Sequence, residues 1–153
     1  MSTLENGVYA ITNNAGNRHV GRFPIEELTL LPKPLMALPR GVEGPNFMIQ
    51  RSDKGYNIKT FGAPTGVWRN SVSAFLLEAD KSQDWIITAQ RQHGENVYTI
   101  ERPERGVGWV VDEEEGPKGS QVYVKPLSSA KNQSPQSQFL PNELFNFVKI
   151  DRK

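Results

Sequence analysis

The sequence predicts an all-β fold, a β-trefoil of twelve strands in three pseudo-symmetric four-strand units, and the first observation behind it is an internal repeat. Three segments alternate apolar and polar residues with period 2, which is typical of a half-buried strand. They are GVYAIT, GYNIKT and NVYTIE, around Tyr9, Tyr56 and Tyr98. Twelve short strands in three units are too few for a β-propeller, which typically needs four to eight blades, and they suit a trefoil instead.

The second observation is that each unit continues with three further apolar segments in the same order. Second strands, each with a glycine in an apolar setting, are predicted at HVGRF, PTGVW and GVGWV. Third strands are predicted at PLMAL, SAFLLEA and QVYVKPL, and fourth strands at FMIQ, WIITA and FNFVK. The second unit has only the short connections GAPTG and RNSVS. We expect a single domain over residues 1–153, with units at approximately 6–54, 55–95 and 96–151.

The third observation is an aromatic residue in the same slot of every fourth strand. These residues are Phe47, Trp85 and Phe145. An aromatic residue at a repeated strand position belongs more often to the core than to a ligand site. We therefore assign these three residues, together with the three tyrosines, to packing rather than to chemistry.

Composition excludes several classes of function. The 153 residues include 18 basic and 17 acidic side chains, so the net charge of +1 gives no field that would gather nucleic acid or an anionic membrane. The chain has no cysteine, which excludes disulfides, thiolate metal sites and cysteine nucleophiles. The N-terminal stretch MSTLENG lacks the basic and apolar regions of a signal peptide, so we expect a cytoplasmic protein, or one released without such a peptide. We also expect a monomer.

Catalytic groups are sparse. The two histidines, His19 and His93, fall in unrelated turn or strand-edge settings, and we expect His93 to be an exposed turn residue. The acidic run from Asp112 to Glu115 lacks the alternating spacing of a calcium loop, so we interpret it as a solvated turn. No nucleophile-elbow or phosphate-loop motif occurs. We predict that the protein is not an enzyme and that it needs no cofactor or metal.

Two long insertions break the three-fold pattern, and binding groups usually lie on such loops. One is PIEELTLLPKP, residues 24–34, between the second and third strands of the first unit. The other is PLSSAKNQSPQSQFLPNE, residues 126–143, between the last two strands of the third unit. The sequence therefore favours a binding protein.

A carbohydrate-binding lectin of the ricin-B type is one alternative. The Gln-x-Trp signature of that class occurs once, at Gln83 to Trp85, and the corresponding triplets before Phe47 and Phe145 do not match. The tryptophans Trp68 and Trp109 follow glycines in what we take as equivalent places, which favours a structural role over a sugar platform.

Several short segments in order carry a resemblance to a known family. They are GxYxI, VGR, LLPKP, LP followed by Gly41, GAPTG, WIITA, QHGEN and PNELF. Over nearly the whole chain the sequence resembles the fungal β-trefoil serine protease inhibitors of the cospin and cnispin kind, and more distantly the mycocypins, which inhibit cysteine proteases. The resemblance implies a small defensive protein whose partner is a serine protease, held through one exposed, substrate-like loop.

The resemblance also points to a reactive residue. A trypsin-like pocket ends in a carboxylate that requires Lys or Arg, and Lys131 is the only charged residue between Lys125 and Glu143. Cnispin-like members use a lysine between the last two strands, so we predict Lys131 as P1, the residue that enters the pocket. Ala130 would then be P2 and Asn132 would be P1′.

The other insertion is an alternative reactive loop. Cospin-like members use a basic residue there, but this chain has Glu26, Glu27, Leu28 and Thr29. Leu28 would suit a chymotrypsin-like pocket and Glu27 a glutamate-specific one, whereas trypsin would be repelled. The remaining basic candidates are Arg22, Lys33, Arg40 and Arg51, and a mycocypin-like activity against legumain would need an exposed asparagine such as Asn13, Asn14 or Asn70.

Overall fold

A computed structural model describes residues 4–22, 31–42, 44–77, 83–114, 116, 119–128 and 139–150. Twelve β-strands make up its regular structure: β1 (Gly7–Asn13), β2 (Arg18–Arg22), β3 (Lys33–Ala37), β4 (Phe47–Arg51), β5 (Tyr56–Thr60), β6 (Ala63–Trp68), β7 (Ser71–Ala74), β8 (Ile86–Ala89), β9 (Val97–Glu101), β10 (Val107–Val111), β11 (Ser120–Pro126) and β12 (Phe145–Lys149). Within these described ranges, two 3₁₀ helices, Arg91–His93 and Pro141–Glu143, lie between strands. The described residues contain no helix with the length and apolar character of a membrane span.

The strands form one antiparallel sheet that closes on itself. The sheet order runs β10–β11–β3–β7–β6–β5–β4–β1–β12–β9, and β9 pairs again with β10. The first and last strands lie side by side, with Ile11 opposite Phe147 and Asn13 opposite Phe145. Closure leaves few unpaired strand edges, and it makes β12 a neighbour of both β1 and β9.

Three hairpins share a common pattern within this sheet. They are β2–β3, β6–β7 and β10–β11. Their second strands pair with one another in all three combinations, β3 with β7, β7 with β11, and β11 with β3. Each hairpin therefore contacts the other two directly.

The core is built around the aromatic residues that the sequence assigned to packing. Phe47, Trp85 and Phe145 are completely buried. The ring of Trp109 meets Trp85 edge to face at 5.4 Å and Phe145 at 5.9 Å between centroids. Trp85 Nε1 donates a hydrogen bond of 3.0 Å to Oγ1 of the buried Thr65, so its polar atom is also satisfied.

The three tyrosines also pack as predicted. Tyr9 and Tyr56 are buried, and Tyr98 is half-buried with its ring 5.2 Å from that of Phe147. The Tyr9 hydroxyl donates to the Glu5 carbonyl at 2.7 Å, and the Tyr56 hydroxyl donates to the Leu4 carbonyl at 2.9 Å. Burial raises the pKa of the Tyr98 phenol above its ordinary value.

The second unit differs from its predicted strand bounds. Its third strand is β7, Ser71–Ala74, and not a strand from Ser73 to Ala79, and most of GAPTG lies inside β6. The connections shrink to two-residue turns, Phe61–Gly62 and Arg69–Asn70, in which all four residues have positive φ. Such turns match the right-handed twist of a hairpin. The strands that follow them, β6 and β7, therefore begin earlier than the turn-forming composition suggested.

The pairing of Trp68 with Trp109 as equivalent residues was wrong. Trp109 directly follows Gly108 and is completely buried, whereas Trp68 stands two residues after Gly66 and is half-buried. A shift of one residue along a strand moves a side chain to the other face. Trp68 therefore faces outward, with the Arg69 guanidinium 4.4 Å from its ring centroid.

Candidate functional site

The connections that follow β2 and β11 contain the two predicted reactive segments. Lys131, Asn132 and Ala130 lie outside the described residues, and so do Glu26, Glu27, Leu28 and Thr29. The structure describes how the chain is fixed on either side of these segments. The described residues that flank each segment therefore define the candidate site.

One buried carboxylate holds both ends of the connection between β11 and β12. Glu143 is only 3% exposed. Its Oε2 accepts hydrogen bonds from the backbone N–H and the hydroxyl of Ser128, at 2.9 and 3.0 Å. Its Oε1 accepts the backbone N–H of Leu140 at 2.9 Å. Because hydrogen bonds to a charged acceptor contribute about 1.5–3 kcal/mol each, this carboxylate fixes the entry and the exit of the segment 129–138.

A short helical turn places the Glu143 side chain. Pro141 occupies the first position of the 3₁₀ helix, where its missing N–H costs nothing, and Glu143 occupies the third. From that position the carboxylate reaches back to the N–H of Leu140, as the glutamate of a capping box does. The role of Glu143 was not predicted from the sequence, although the succession Leu140, Pro141, Asn142, Glu143 is a recognisable start of a helical turn.

Further contacts attach the exit of this connection to the barrel. The backbone N–H of Phe139 donates to His93 Nε2 at 3.3 Å, and the two rings meet at 6.4 Å between centroids. Asn142 Nδ2 donates to the Val111 carbonyl at 3.0 Å. His93 lies in the turn between the paired strands β8 and β9, as predicted, but it is half-buried and not exposed. It accepts a bond from a segment that is far away in the sequence.

The entry and the surrounding turn are fixed as well. Leu127, 6% exposed, donates its backbone N–H to the Gly106 carbonyl at 2.9 Å. The turn that carries Gly106 is itself held by the Glu101 carboxylate, which accepts the Gly106 N–H at 2.7 Å and lies 3.2 Å from Arg105 Nε. Two buried carboxylates, those of Glu101 and Glu143, thus organise this end of the barrel.

The connection after β2 is held by different contacts at its ends. Arg22, its last described residue, lies at the end of its strand as expected, and its Nη1 donates to the Thr60 carbonyl at 3.4 Å. The guanidinium stands 5.3 Å from the ring centroid of Phe61, which is 72% exposed. At the other end, Lys33 is only 3% exposed, inside β3.

Other basic residues lie in settings unlike a protease substrate. Arg69 and Asn70 form a tight turn with φ of 53° and 65°. Arg40 precedes Gly41, whose φ is 86°, in a turn closed by a bond from the Val42 N–H to the Pro39 carbonyl. Arg51 ends β4, as the sequence predicted for a strand-end residue. None of these three basic residues is part of a long extended loop.

A polar cleft of about 730 Å³ lies beside the exit of the β11–β12 connection. Four amide side chains line it, together with His93 and Phe139; the amides are Asn14, Asn17, Asn96 and Asn146. Asn14 Oδ1 accepts a hydrogen bond from Asn146 Nδ2, and the Asn14 N–H donates to the Leu144 carbonyl at 3.0 Å. No nucleophile with a partnered base stands among these cleft residues.

The described part of the chain offers little for catalysis. Its residues contain no group of three or more His, Asp or Glu that would hold a metal ion, and His19 lies within β2 rather than beside His93. Instead, a closed all-β scaffold fixes both ends of a long polar connection through a buried carboxylate.

Comparison with known proteins gives the family. The model of the family described as peptidase inhibitor I66 matches residues 1–149. A serine protease inhibitor from Lentinula edodes is 31% identical over 150 residues, which are 97% of this chain and 100% of that one. A solved proteinase inhibitor from Coprinopsis cinerea is 33% identical with a TM-score of 0.84, over 97% and 100% of the two chains. The chain belongs to the peptidase inhibitor I66 family, so it is an inhibitor and not an enzyme.

More distant structures share the fold alone. A ricin B-like lectin from Macrolepiota procera, solved with lactose, has a TM-score of 0.65 at 11% identity, over 98% of this chain and 100% of that one. An agglutinin from Rhizoctonia solani has a TM-score of 0.68 at 14% identity, over 98% and 99%. These likenesses agree with an all-β, strand-rich architecture.

Proposed function

We propose that this protein inhibits trypsin-like serine proteases as a monomeric β-trefoil, by placing Lys131 in the primary specificity pocket of the protease. The family is one of peptidase inhibitors, and the Lentinula edodes relative is named a serine protease inhibitor. The observation that carries the proposal is the anchoring of both ends of segment 129–138 on Glu143.

The strand pairings support the three-unit interpretation of the fold. In the trefoil, β1–β4, β5–β8 and β9–β12 form units of about 6–54, 55–95 and 96–151. Equivalent hairpins, β2–β3, β6–β7 and β10–β11, then meet in a three-way contact. Successive units join through β4–β5, β8–β9 and β12–β1, which are again equivalent pairs.

Anchored ends favour inhibition because they reduce the conformational entropy that the loop loses when it binds the protease. A segment whose ends are fixed loses less conformational entropy on docking than a free peptide does. Protease–inhibitor complexes of about 1,600 Å² total buried surface reach very high affinity by this means. In this chain the connection after β11 has such anchors on both sides.

Chemistry then favours Lys131 as the inserted residue. It is the only charged side chain between Lys125 and Glu143, and the pocket of a trypsin-like protease ends in a carboxylate. Ala130 as P2 and Asn132 as P1′ are small enough to follow it into the cleft. Lys33 is buried within β3, and Arg69 sits in a tight turn, so neither would present an extended segment.

The legumain alternative loses support from the described residues. Asn13 is completely buried, and its Nδ2 donates to the Leu144 carbonyl at 3.2 Å. The Asn14 side chain accepts a hydrogen bond from Asn146 Nδ2 at 2.6 Å. Asn70 remains exposed, but its φ of 65° in a two-residue turn differs from the extended backbone that a protease binds.

Substitutions at position 131 test the proposal. We expect Lys131→Ala to weaken trypsin inhibition by two or more orders of magnitude, since it removes a desolvated charge pair of the hot-spot kind. Lys131→Arg should retain inhibition, and Lys131→Leu should shift preference towards chymotrypsin. Inhibition constants for trypsin, chymotrypsin, subtilisin, papain and legumain, measured with thermal unfolding of each variant, check these expectations.

The outcomes separate the alternatives. Unchanged trypsin inhibition by Lys131→Ala would refute Lys131 as P1 and favour the loop with Glu26 to Thr29. In that case Leu28→Arg should create trypsin inhibition that the parent lacks. Binding on a sugar array, with none of the five proteases affected, would instead favour the lectin alternative.

A further inference from the structure

The Glu143 carboxylate has an arrangement that goes beyond local structure. Its two oxygens divide their bonds between the two sides of one connection: Oε2 binds Ser128 and Oε1 binds Leu140. Ser128 stands three residues before Lys131, and Leu140 stands eight residues after Asn132. The carboxylate thus bridges the chain across the proposed reactive bond without being part of the reactive segment.

We propose that Glu143 is a positioning residue that allows the inhibitor to survive cleavage of its own loop, because it holds both ends of the loop in place for the bond to re-form. The inference rests on the proposed function, since it takes Lys131–Asn132 as the bond that the protease attacks.

The chemistry is that of a serine protease acting reversibly. The protease serine oxygen attacks the Lys131 carbonyl carbon, the bond to the Asn132 nitrogen breaks, and the protease histidine delivers the serine proton to the departing amine. Water can then attack the resulting ester, which releases a Lys131 carboxylate and the free serine. Alternatively, the Asn132 amine attacks the same ester, which restores the peptide bond and returns the proton through the histidine to the serine.

The ratio of these two fates depends on where the amine is. A tethered group acts at an effective concentration set by the length of its tether and the position of its anchor. Glu143 anchors both pieces on one side chain that is itself 3% exposed, so Ser128 on one piece and Leu140 on the other stay bound to the same carboxylate after the cut. The fragments also remain joined through β12, which pairs with β1 and β9.

The isosteric variant Glu143→Gln isolates this role. A carboxylate accepts on both oxygens, whereas an amide accepts on one oxygen only and its nitrogen can only donate. The variant therefore loses the bonds on one side of the connection while it keeps the shape of the side chain. Ser128→Ala is a milder second variant, because it removes the hydroxyl bond to Oε2 and keeps the backbone bond.

The experiment measures the equilibrium between cut and intact inhibitor. Each protein is incubated with a catalytic amount of trypsin, starting from intact and from cut samples, and the fraction cut at Lys131–Asn132 is followed by mass spectrometry. We expect the cut-to-intact ratio of Glu143→Gln to rise about tenfold over the parent, as for one lost hydrogen bond to a charged acceptor. Ser128→Ala should raise the ratio in the same direction by a smaller factor.

A matched control separates positioning from general loss of stability. Thr65→Val removes a buried hydroxyl that donates to Ile58 and accepts from Trp85, on β6 in the second unit. We expect it to lower thermal stability without changing the cut-to-intact ratio. Equal ratios in Glu143→Gln, Ser128→Ala and Thr65→Val would overturn the inference and leave the proposed function standing, if Lys131→Ala has lost inhibition. Full inhibition by Lys131→Ala, or cleavage at another bond, would overturn both.

Discussion

At the scale of single residues, Trp85 shows how a polar atom enters an apolar core without cost. The side chain is completely buried, its ring packs edge to face on Trp109, and its indole N–H donates to Thr65. Thr65 in turn donates to the Ile58 carbonyl at 2.8 Å. The core therefore depends on this residue both for volume and for a satisfied hydrogen-bond chain.

We expect Trp85→Ala to lower the free energy of unfolding by about 3–5 kcal/mol, because it leaves a large cavity and an unpaired Thr65 hydroxyl acceptor. Chemical denaturation followed by circular dichroism checks this value. Trp68→Ala is the control, since Trp68 is half-buried beside Arg69 and should cost much less. A loss no larger than that of Trp68→Ala would contradict the assignment of Trp85 to the core.

At the scale of elements, glycines set how closely neighbouring strands approach. A Cβ on Gly108 in β10 would lie 2.1 Å from the Ile100 carbonyl oxygen in β9, and both atoms belong to strands that cannot yield easily. Each predicted second strand contains a glycine, and at Gly108 only a residue without a Cβ fits. It lets β10 pass directly over β9 where the two strands pair.

Gly108→Ala should therefore destabilise the protein by about 3 kcal/mol, as overpacking against a backbone does. Gly116→Ala provides the matched control, because its nearest neighbour would be 3.9 Å away, an ordinary contact. The thermal unfolding midpoints of the two variants and the parent, measured in one buffer, test the difference. Equal midpoints for the two variants would refute the steric explanation.

At the scale of the whole molecule, the last strand completes the barrel. β12 pairs with β1 over five residue positions and with β9 over two, and it carries the buried Phe145 and Phe147. A chain without β12 leaves two strand edges unpaired and exposes aromatic core residues. The N-terminal part up to the proposed reactive bond should therefore not fold alone.

We expect a chain of residues 1–131 to lack cooperative unfolding, and addition of a synthetic peptide of residues 132–153 to restore both the cooperative transition and trypsin inhibition. Near-ultraviolet circular dichroism of the buried tryptophans, recorded during titration with the peptide, provides the measurement. A peptide with Phe145→Ala should restore much less signal, since it lacks the ring that packs on Trp109. Cooperative unfolding of residues 1–131 alone would show that closure by β12 is dispensable.

Local pattern was sufficient for most strands. Period-2 alternation placed β1, β5 and β9 within one residue at either end, because half-buried strands alternate. The repeated aromatic position placed β12 at Phe145–Lys149. The third strand of the second unit was misplaced, because its bounds depend on a two-residue turn at Arg69–Asn70 that the composition does not announce. The strand-to-strand contacts around each turn decide such bounds.

By itself, the sequence determined the all-β class, the aromatic core and the absence of cysteine chemistry, since these follow from residue type and spacing along the chain. Only the tertiary structure decided that Glu143 joins Ser128 to Leu140 and that His93 receives the N–H of Phe139. The physical reason is that a hydrogen bond is directional and short, so its partner depends on distances in space. Residues 46 positions apart, such as His93 and Phe139, carry no local signal of such a contact.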